Sequence, residues 1–319
     1  MTPDLLELRP VGRSALTVTS LGLGTAALAV PYGAPGAERA APPRAVAADA
    51  VAAALDAGIQ LIDTAPAYGD AESIVGDVAG DADCRVATKL AIPRDGWLAL
   101  DGAATRSTVR ASAESSLRAL RRERLDLLQI HNADIELLGR SHVVQAIEEL
   151  RSEGLVALIG ATVYGEDNAL AALDLEGIDV VQVAHSALDR RAERSIVPRA
   201  SAAGASVMTR SALLRGVLTP AGRDLSGVFA PLREAADAFR VAIGAGWEEL
   251  PGAAVAWAAT RPGITSTIIG PRDAGELADL LAGAEAFLTT ARDIGIDWWR
   301  ELAPELLDPR SWPQAQVGV

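Results

Sequence analysis

Cysteine, lysine and aromatic residues are scarce in this chain of 319 residues. Its single cysteine, Cys84, rules out a disulfide framework within the chain and is compatible with a reducing compartment. Aromatic residues make up only 4% of the sequence, whereas Ala, Val, Leu and Ile are plentiful. This composition favours small-residue helices packed on branched strands, and therefore an α/β architecture over a β-sandwich.

Basic residues are also fewer than acidic residues, 29 against 42. The formal net charge of -13 argues against a nucleic-acid partner, because phosphate backbones are bound by basic surfaces. Any anionic ligand must therefore find a local basic pocket. The three histidines, His131, His142 and His185, lack the spacing of a metal-ligand set, so no metal is expected.

Long apolar runs are absent as well. No stretch of 18 uninterrupted apolar residues occurs, so the sequence predicts no membrane span, and no signal peptide is apparent. Half of the residues are hydrophobic, which is enough to bury a large core. We therefore expect one domain over residues 1–319, located in the cytoplasm, and the oligomeric state stays open.

Strand-like runs alternate with helical stretches along the whole chain. The strand candidates lie near residues 21–26, 59–63, 84–89, 125–131, 156–162, 178–183, 205–210 and 266–269. Eight strand–helix units with short connections predict a single (β/α)8 TIM barrel, although a doubly wound open sheet produces part of this alternation. Residues 22–27 come nearest to a dinucleotide-fold fingerprint, but a Pro/Gly loop and not a helix follows them.

Four segments lie outside the repeating unit. Residues 6–18 predict an N-terminal β-hairpin that floors the barrel. Residues 31–44 and 217–248 are long insertions, and residues 287–319 predict a C-terminal helical extension. Because long strand-to-helix loops lie over the active face of barrel enzymes, we expect the last three of these segments near the mouth.

A carboxylate, a tyrosine, a lysine and a histidine follow successive predicted strands. Asp63, Lys89 and His131 end the second, third and fourth strands, and Tyr68 lies five residues after Asp63. Because the C-terminal ends of barrel strands meet at one mouth, these side chains can converge. Lys89 is the one lysine of the chain, and its compact ammonium can sit beside a phenol more easily than a planar guanidinium can.

These motifs closely resemble the aldo-keto reductase family. The resemblance covers nearly the whole chain: residues 21–26, residues 58–69 with Ala71-Glu72, Lys89, residues 129–131, Gln182 and residues 267–272. It implies an NADPH-dependent oxidoreductase that reduces a small-molecule carbonyl substrate to an alcohol.

Carbonyl reduction requires a hydride donor at the carbon and a proton donor at the oxygen. We predict that Tyr68 donates the proton, and that Lys89 lowers the phenol pKa towards working pH. Asp63 would hold Lys89 in place, and His131 would hydrogen-bond and orient the substrate oxygen. The resemblance implies the same four roles.

The cofactor residues match the family less closely than the catalytic residues. We predict NADPH or NADP+ across the C-terminal face, held by Gly24, Thr25, Asp63, Thr162, Gln182, Arg210, Ser211, Leu213, Arg215, Gly270, Arg272 and Glu276. Thr162-Val163 stands where the family usually has Ser-Asn, and Arg210 aligns with an aromatic that often stacks on the nicotinamide. Arg272 offers a planar fork to the 2′-phosphate at a helix start, whereas Glu276 is close enough to repel it.

The sequence says little about the substrate. Candidate pocket walls are Tyr32, Trp97, Trp299 and Trp312, because aromatic lining is common in small-molecule sites, and residues 303–319 are expected to fold over the mouth. Two alternatives to a reductase stay open: a regulatory or sensor barrel that binds NADPH weakly or not at all, and a non-redox lyase or isomerase. The four retained catalytic positions favour the reductase.

Overall fold

The computed structural model describes residues 4–34, 38–91, 94–290 and 301–312. A hairpin of β1 (Leu8–Pro10) and β2 (Thr17–Thr19) precedes eight parallel strands. These strands are β3 (Leu21–Gly24), β4 (Leu61–Asp63), β5 (Arg85–Lys89), β6 (Leu125–Ala133), β7 (Val156–Val163), β8 (Val180–Ala184), β9 (Ser206–Arg210) and β10 (Ser266–Ile269). Because β10 pairs with β3, the barrel is closed. The predicted barrel is confirmed, and the open doubly wound sheet is excluded.

Helices alternate with the barrel strands. The longer helices span Arg44–Asp56, Ala71–Ala79, Gly102–Leu120, Ser141–Ser152, Glu166–Leu173, Ile196–Ala203, Ala230–Ala242, Leu250–Ala259 and Ala274–Thr289. Short helical segments span Ala26–Ala29, Arg94–Ala99, Ile135–Leu138, Arg191–Arg194, Leu214–Gly216, Pro220–Asp224, Gly227–Phe229, Pro304–Leu307 and Pro309–Ser311. In the described part of the chain, no helix is long and apolar enough to cross a membrane.

The hairpin closes the N-terminal end of the barrel, as its sequence predicted. Val11 follows β1 and Val18 lies in β2. Both are buried against one residue from each of seven barrel strands. This floor cluster also contains Leu61, Ala87, Leu127, Leu158, Val180, Met208 and Ile268. Burying these apolar side chains together stabilises the barrel interior at the end away from its mouth.

Above this apolar floor, the next layer of side chains in the barrel interior is polar. Successive side chains point to opposite faces, so Asp63 faces the interior one step above Leu61. The same step from the floor cluster places four polar side chains in the next layer: Asp63, Lys89, Gln129 and Gln182. A further step along β6 brings His131 to the mouth.

The described part of the C-terminal extension lies beside the mouth. Trp312 packs edge to face on Phe229, with ring centroids 5.3 Å apart, and its Nε1 donates to the carbonyl of Leu306 at 3.1 Å. Pro304, Leu307, Asp308 and Arg310 line a cleft of about 150 Å³ next to the ends of β7 and β8. Residues 301–312 therefore flank the C-terminal face of the barrel.

Candidate active site

An ion pair between Lys89 and Asp63 lies at the bottom of the mouth. Lys89 Nζ donates to Asp63 Oδ2 at 2.7 Å and to the carbonyl oxygen of Thr64 at 2.8 Å. The lysine side chain is 1% exposed and the aspartate side chain 6%. A buried ion pair needs additional hydrogen bonds to offset its lost hydration, and the Thr64 carbonyl provides one. These contacts fix the position of the ammonium.

Two glutamine amides complete the surroundings of the Asp63 carboxylate. The Nε2 of Gln182 donates to Asp63 Oδ1 at 2.8 Å, and that of Gln129 donates to the same oxygen at 3.2 Å. Sequence reasoning assigned Gln182 to the cofactor and gave Gln129 no role. In the structure, both side chains orient Asp63. The period-two alternation from Leu127 was the available signal for Gln129, because it places that side chain inside the barrel.

The Tyr68 ring lies between the ammonium and the imidazole. Lys89 Nζ is 4.9 Å from the centroid of the Tyr68 ring. The rings of Tyr68 and His131 meet edge to face, with centroids 5.9 Å apart and planes at 83°. The structure thus brings Asp63, Tyr68, Lys89 and His131 together at one mouth, as their places at the strand ends predicted.

Burial shifts the pKa of Tyr68 in the direction opposite to the one expected from the sequence. Burial raises the pKa of the Tyr68 phenol above 10.0, and the nearby Lys89 cation offsets this only in part. The expectation that Lys89 brings this pKa down towards working pH was therefore wrong in its net direction. Burial by itself lowers the pKa of Lys89, but Asp63 and Tyr68 together raise it. At neutral pH the pair is a phenol and an ammonium.

His131 is neutral over the physiological pH range. Burial, followed by the charges of Lys89 and Arg210, lowers the pKa of His131 to about 3. A neutral imidazole carries a single N–H. His131 can therefore donate one hydrogen bond to a ligand without adding a positive charge to the mouth.

A β-bulge interrupts the regular pairing near the end of β6, next to His131. The pairing register between β6 and β7 shifts between Ile130 and Ala133. Within this interval Asn132 has a left-handed backbone (φ 50), a conformation that asparagine tolerates better than most residues. The N–H of Asn132 donates to Thr162 Oγ1 at 2.8 Å. Thr162, expected only to bind the cofactor, also holds the backbone next to His131.

All three tyrosines of the chain lie close to one another at the mouth. Burial raises the pKa of Tyr32, and Arg215, Tyr164, Tyr68 and Arg210 all act on it electrostatically. The Cζ of Arg215 lies 4.8 Å from the centroid of the Tyr32 ring, so the predicted wall residue Tyr32 packs under a cation. Tyr164 was not singled out from the sequence, because no motif marks it.

Two other predicted wall residues, Trp97 and Trp312, do not line an open site. Trp97 is 1% exposed and packs in the hydrophobic core, because its large apolar ring is stabilised there. Trp312 is 6% exposed and anchors the C-terminal extension on Phe229. Trp299 lies outside the described residues. Of the three candidates that the structure describes, Tyr32 is the one that lies near Tyr68.

Three guanidinium groups on the C-terminal side of the barrel have a buried nitrogen atom without a hydrogen-bond partner in the described part of the chain. Arg210 Nη1, Arg215 Nε and Arg272 Nη1 are buried and have no hydrogen-bond partner among the described residues. Within that part of the chain, none of these arginines lies within ion-pair distance of a carboxylate. Leaving a buried charged donor unpaired is costly, and phosphate oxygens would satisfy such donors. The donor set therefore fits a dinucleotide.

Three residues in the loop after β9 have a left-handed backbone. Ser211, Leu214 and Arg215 all have left-handed φ values, of 67°, 43° and 52°. Such turns can point successive N–H groups towards one anion. Leu213, in the same turn, is partly buried, and its carbonyl accepts hydrogen bonds from Gly216 and Leu218 at 2.9 and 3.1 Å.

The helix after β10 begins next to Arg272. Asp273 Oδ1 accepts from the N–H of Glu276 at 2.8 Å, and Glu276 Oε2 accepts from the N–H of Arg272 at 2.7 Å. Arg272 Nη2 donates to the carbonyl of Ala40 at 2.7 Å. The Glu276 carboxylate is thus bound at the end of the helix where an anion would be favoured. Gly270 is exposed just before this turn.

Gly24 and Thr25 lie at the end of β3, next to Asp63. A Cβ on Gly24 would come 2.8 Å from Ile268 Cγ2, so the close approach of β3 and β10 requires glycine. Thr25 is buried, and its hydroxyl donates to the carbonyl of Asp63 at 3.1 Å. The described residues contain no cluster of His, Cys, Asp or Glu that could hold a metal ion.

Comparison with known proteins shows the family of this chain. The sequence profile of the Aldo/keto reductase family matches residues 20–295. The chain belongs to this family. It is 30% identical over 226 residues to the NADH-specific methylglyoxal reductase of Escherichia coli (strain K12), covering 66% of this chain and 68% of the relative. It is also 28% identical over 222 residues to the aldo-keto reductase YhdN of Bacillus subtilis (strain 168), covering 67% of this chain and 64% of that protein.

Solved structures share the barrel. A Pseudomonas aeruginosa protein described as an aldo-keto reductase superposes with a TM-score of 0.63 at 28% identity, covering 89% of this chain and 97% of the other. The holo form of an aldo-keto reductase from Bacillus halodurans gives a TM-score of 0.73 at 21% identity, with 91% and 97% covered. The second likeness shows the fold alone.

Proposed function

We propose that this protein, as one domain over residues 1–319, reduces an aldehyde or ketone to an alcohol with a nicotinamide dinucleotide. The convergence of Tyr68, Lys89, Asp63 and His131 is the observation that carries the proposal. A phenol that keeps its proton at neutral pH lies between an ammonium and a neutral imidazole. Family membership supports the same reaction class.

When bound, a nicotinamide dinucleotide would supply the hydride for the carbonyl carbon. Tyr68 donates its hydroxyl proton to the carbonyl oxygen, and His131 donates a hydrogen bond to the same oxygen. The Lys89 cation stabilises the negative charge that develops on the phenol oxygen. Asp63 keeps the ammonium under the Tyr68 ring through its 2.7 Å contact.

We propose NADPH as the preferred dinucleotide. Ser211, Leu213 and Arg215 would hold the pyrophosphate, and Arg272, whose Nη1 has no partner among the described residues, would hold the 2′-phosphate. The remaining predicted contacts stay with the nicotinamide half (Gly24, Thr25, Asp63, Thr162 and Gln182) and the adenosine half (Gly270 and Glu276). One relative is named as NADH-specific, so dissociation constants for both cofactors decide this point.

The first test follows the absorbance of NADPH when an aldehyde such as 4-nitrobenzaldehyde is added. Wild type should consume NADPH, and Tyr68→Phe should lose about 10²–10⁴-fold of the rate, because the proton donor is removed. NADPH affinity should stay nearly unchanged in this variant, which also shows that it folds. If Tyr68→Phe keeps most of its rate, another group is the acid.

A different outcome would favour the alternatives. If wild type binds NADPH but turns over no aldehyde, a sensor role becomes the better account of the barrel. If it turns over no aldehyde and binds no dinucleotide at all, a sensor role and a lyase or isomerase activity both remain as accounts of the barrel.

A further inference from the structure

Glu72 is a buried acid four residues after Tyr68, in the first turn of the helix Ala71–Ala79. The residue is 6% exposed. Burial raises the pKa of its carboxyl, and the hydroxyl groups of Thr88 and Ser116 offset this in part. Because burying a carboxyl is costly and the proposed reaction gives Glu72 no role, its position requires another explanation.

The Glu72 carboxylate accepts a hydrogen bond from strand β5. Thr88 Oγ1 donates to Glu72 Oε1 at 2.6 Å, and Thr88 is fully buried. Ala87 and Lys89 face the barrel interior, so the side chain of Thr88 between them faces outward, towards the helices. The bond therefore joins the start of the helix to the residue that precedes Lys89.

Tyr68 lies in a turn that leads directly into the same helix. Its N–H donates to the carbonyl of Ala65 at 3.0 Å, and its carbonyl accepts from the N–H of Ala71 at 3.0 Å. Both bonds lie within the turn and fix its shape, but neither reaches β5. The distance of 4.9 Å from Lys89 Nζ to the centroid of the Tyr68 ring thus depends in part on how the start of the helix sits against β5.

The helix that follows Tyr68 is positioned at two points. A Cβ on Gly76 would overlap the carbonyl oxygen of Ala119, so the backbones of two helices are in direct contact there. Glu72, about one turn earlier, fixes the first turn of the helix through its bond to Thr88. Held at both points, the helix keeps the Tyr68 turn that precedes it in one place.

We propose that Glu72 is a positioning residue for the reduction: through its hydrogen bond with Thr88, it holds the Tyr68 turn against the strand that carries Lys89. This inference rests on the proposed reductase function. It assigns the task to the hydrogen bond and not to the negative charge, because the carboxylate accepts from Thr88 whereas the ammonium donates to Asp63. A displacement of about 1 Å in a reacting group can cost on the order of 100-fold in rate.

The experiment measures kcat and KM for 4-nitrobenzaldehyde, and the dissociation constant of NADPH, in variants of both partners. Thr88→Val keeps the shape of the side chain but removes the donor. It should lower kcat by on the order of 10-fold to 100-fold, because Tyr68 is no longer held at its distance from Lys89. The dissociation constant of NADPH should change by less than about twofold, since neither partner is a predicted cofactor contact. Thr88→Ser keeps the hydroxyl and should stay close to wild type in kcat.

Variants of Glu72 separate the hydrogen bond from the charge. Glu72→Gln keeps an oxygen acceptor without the charge and should retain most of kcat, whereas Glu72→Leu should lose as much as Thr88→Val. The double variant Thr88→Val/Glu72→Leu should lose no more than either single variant, because all three break the same bond. The double variant replaces both partners with apolar groups, which leaves no buried acceptor unpaired, so it serves if a single variant does not fold.

Thr265→Val is the matched control for the loss of a buried hydroxyl. Thr265 Oγ1 donates to Ser206 Oγ at 3.0 Å, and Ser206 Oγ also accepts from the N–H of Gly12 in the hairpin at 2.7 Å. This bond therefore lies at the floor of the barrel, away from the mouth. Thr265→Val should lower the free energy of unfolding but leave kcat unchanged. An equal loss of kcat in Thr265→Val and Thr88→Val would show that general destabilisation lowers the rate, and the inference would be wrong.

The other failures are distinct. If Thr88→Val and Glu72→Leu keep the wild-type kcat, the inference is wrong while the reductase function stands. If Glu72→Gln loses as much as Glu72→Leu, the charge is required and the hydrogen bond is not sufficient, so the inference is also wrong. If wild type binds NADPH but reduces no carbonyl compound, the proposed function fails and the inference fails with it.

Discussion

The hydroxyl oxygen of Thr162 accepts the N–H of Asn132 at 2.8 Å, across the pair of strands that carries His131. Replacing Thr162 with valine keeps the volume but removes the acceptor, which leaves a partly buried N–H unpaired at a cost of about 1–3 kcal/mol. We expect Thr162→Val to lower kcat, because His131 would no longer be held in its orientation. Thr162→Ser keeps the hydroxyl and should stay close to wild type. Steady-state kinetics and NADPH titration separate the two roles. A loss confined to cofactor affinity would show that Thr162 serves only the nicotinamide.

Removing Lys89 should damage both stability and rate. Lys89→Met leaves the buried Asp63 carboxylate without its cation, which we expect to cost about 3–5 kcal/mol of unfolding free energy. The double variant Lys89→Met/Asp63→Asn removes both charges and should recover much of that stability but none of the activity. Lys89→Arg should not restore the rate, because the planar guanidinium does not fit under the Tyr68 ring. Denaturant unfolding together with the aldehyde assay measures both effects, and full activity in Lys89→Arg would contradict the proposal.

The rate of reduction should show no inflection from histidine titration as the pH changes. Because the pKa of His131 lies near 3 and not 6.5, the imidazole stays neutral over about pH 5 to 8, where ordinary histidines titrate. The active form of Tyr68 is the protonated phenol, and its pKa is raised above 10.0. The rate should therefore be flat through neutrality and fall only in strong alkali. An inflection close to 6.5 that disappears in His131→Gln would show that the histidine acts as a cation.

Arg272 should decide between the two dinucleotides. Arg272→Ala should weaken NADPH binding by about 1.5–3 kcal/mol, through the loss of a charge-assisted contact, and NADH binding far less. Glu276→Gln should strengthen NADPH binding, because it removes a carboxylate 2.7 Å from the Arg272 N–H. Fluorescence titration of both cofactors gives the constants. Equal losses in Arg272→Ala, or a wild-type preference for NADH, would place the 2′-phosphate site elsewhere.

Local pattern in the sequence was enough to predict the barrel and the four residues at its mouth. Strand identity depends on short runs of branched residues, and the ends of parallel barrel strands always share one face. Asp63, Lys89 and His131 were therefore placed together without knowledge of any contact. The hairpin floor followed from its turn and its alternating residues in the same way.

Contacts between residues far apart in the chain were decided only by the tertiary structure. Gln182 and Gln129 meet Asp63 from two other strands, and the bulge at Asn132 depends on a hydroxyl from the next strand. The high pKa of Tyr68 arises from burial, which no spacing reveals. The core position of Trp97 and the unpaired charge of Arg210 beside Tyr164 likewise depend on packing. Local pattern determines which elements form and which strand ends meet, whereas hydration and hydrogen-bond partners depend on the distances that folding creates.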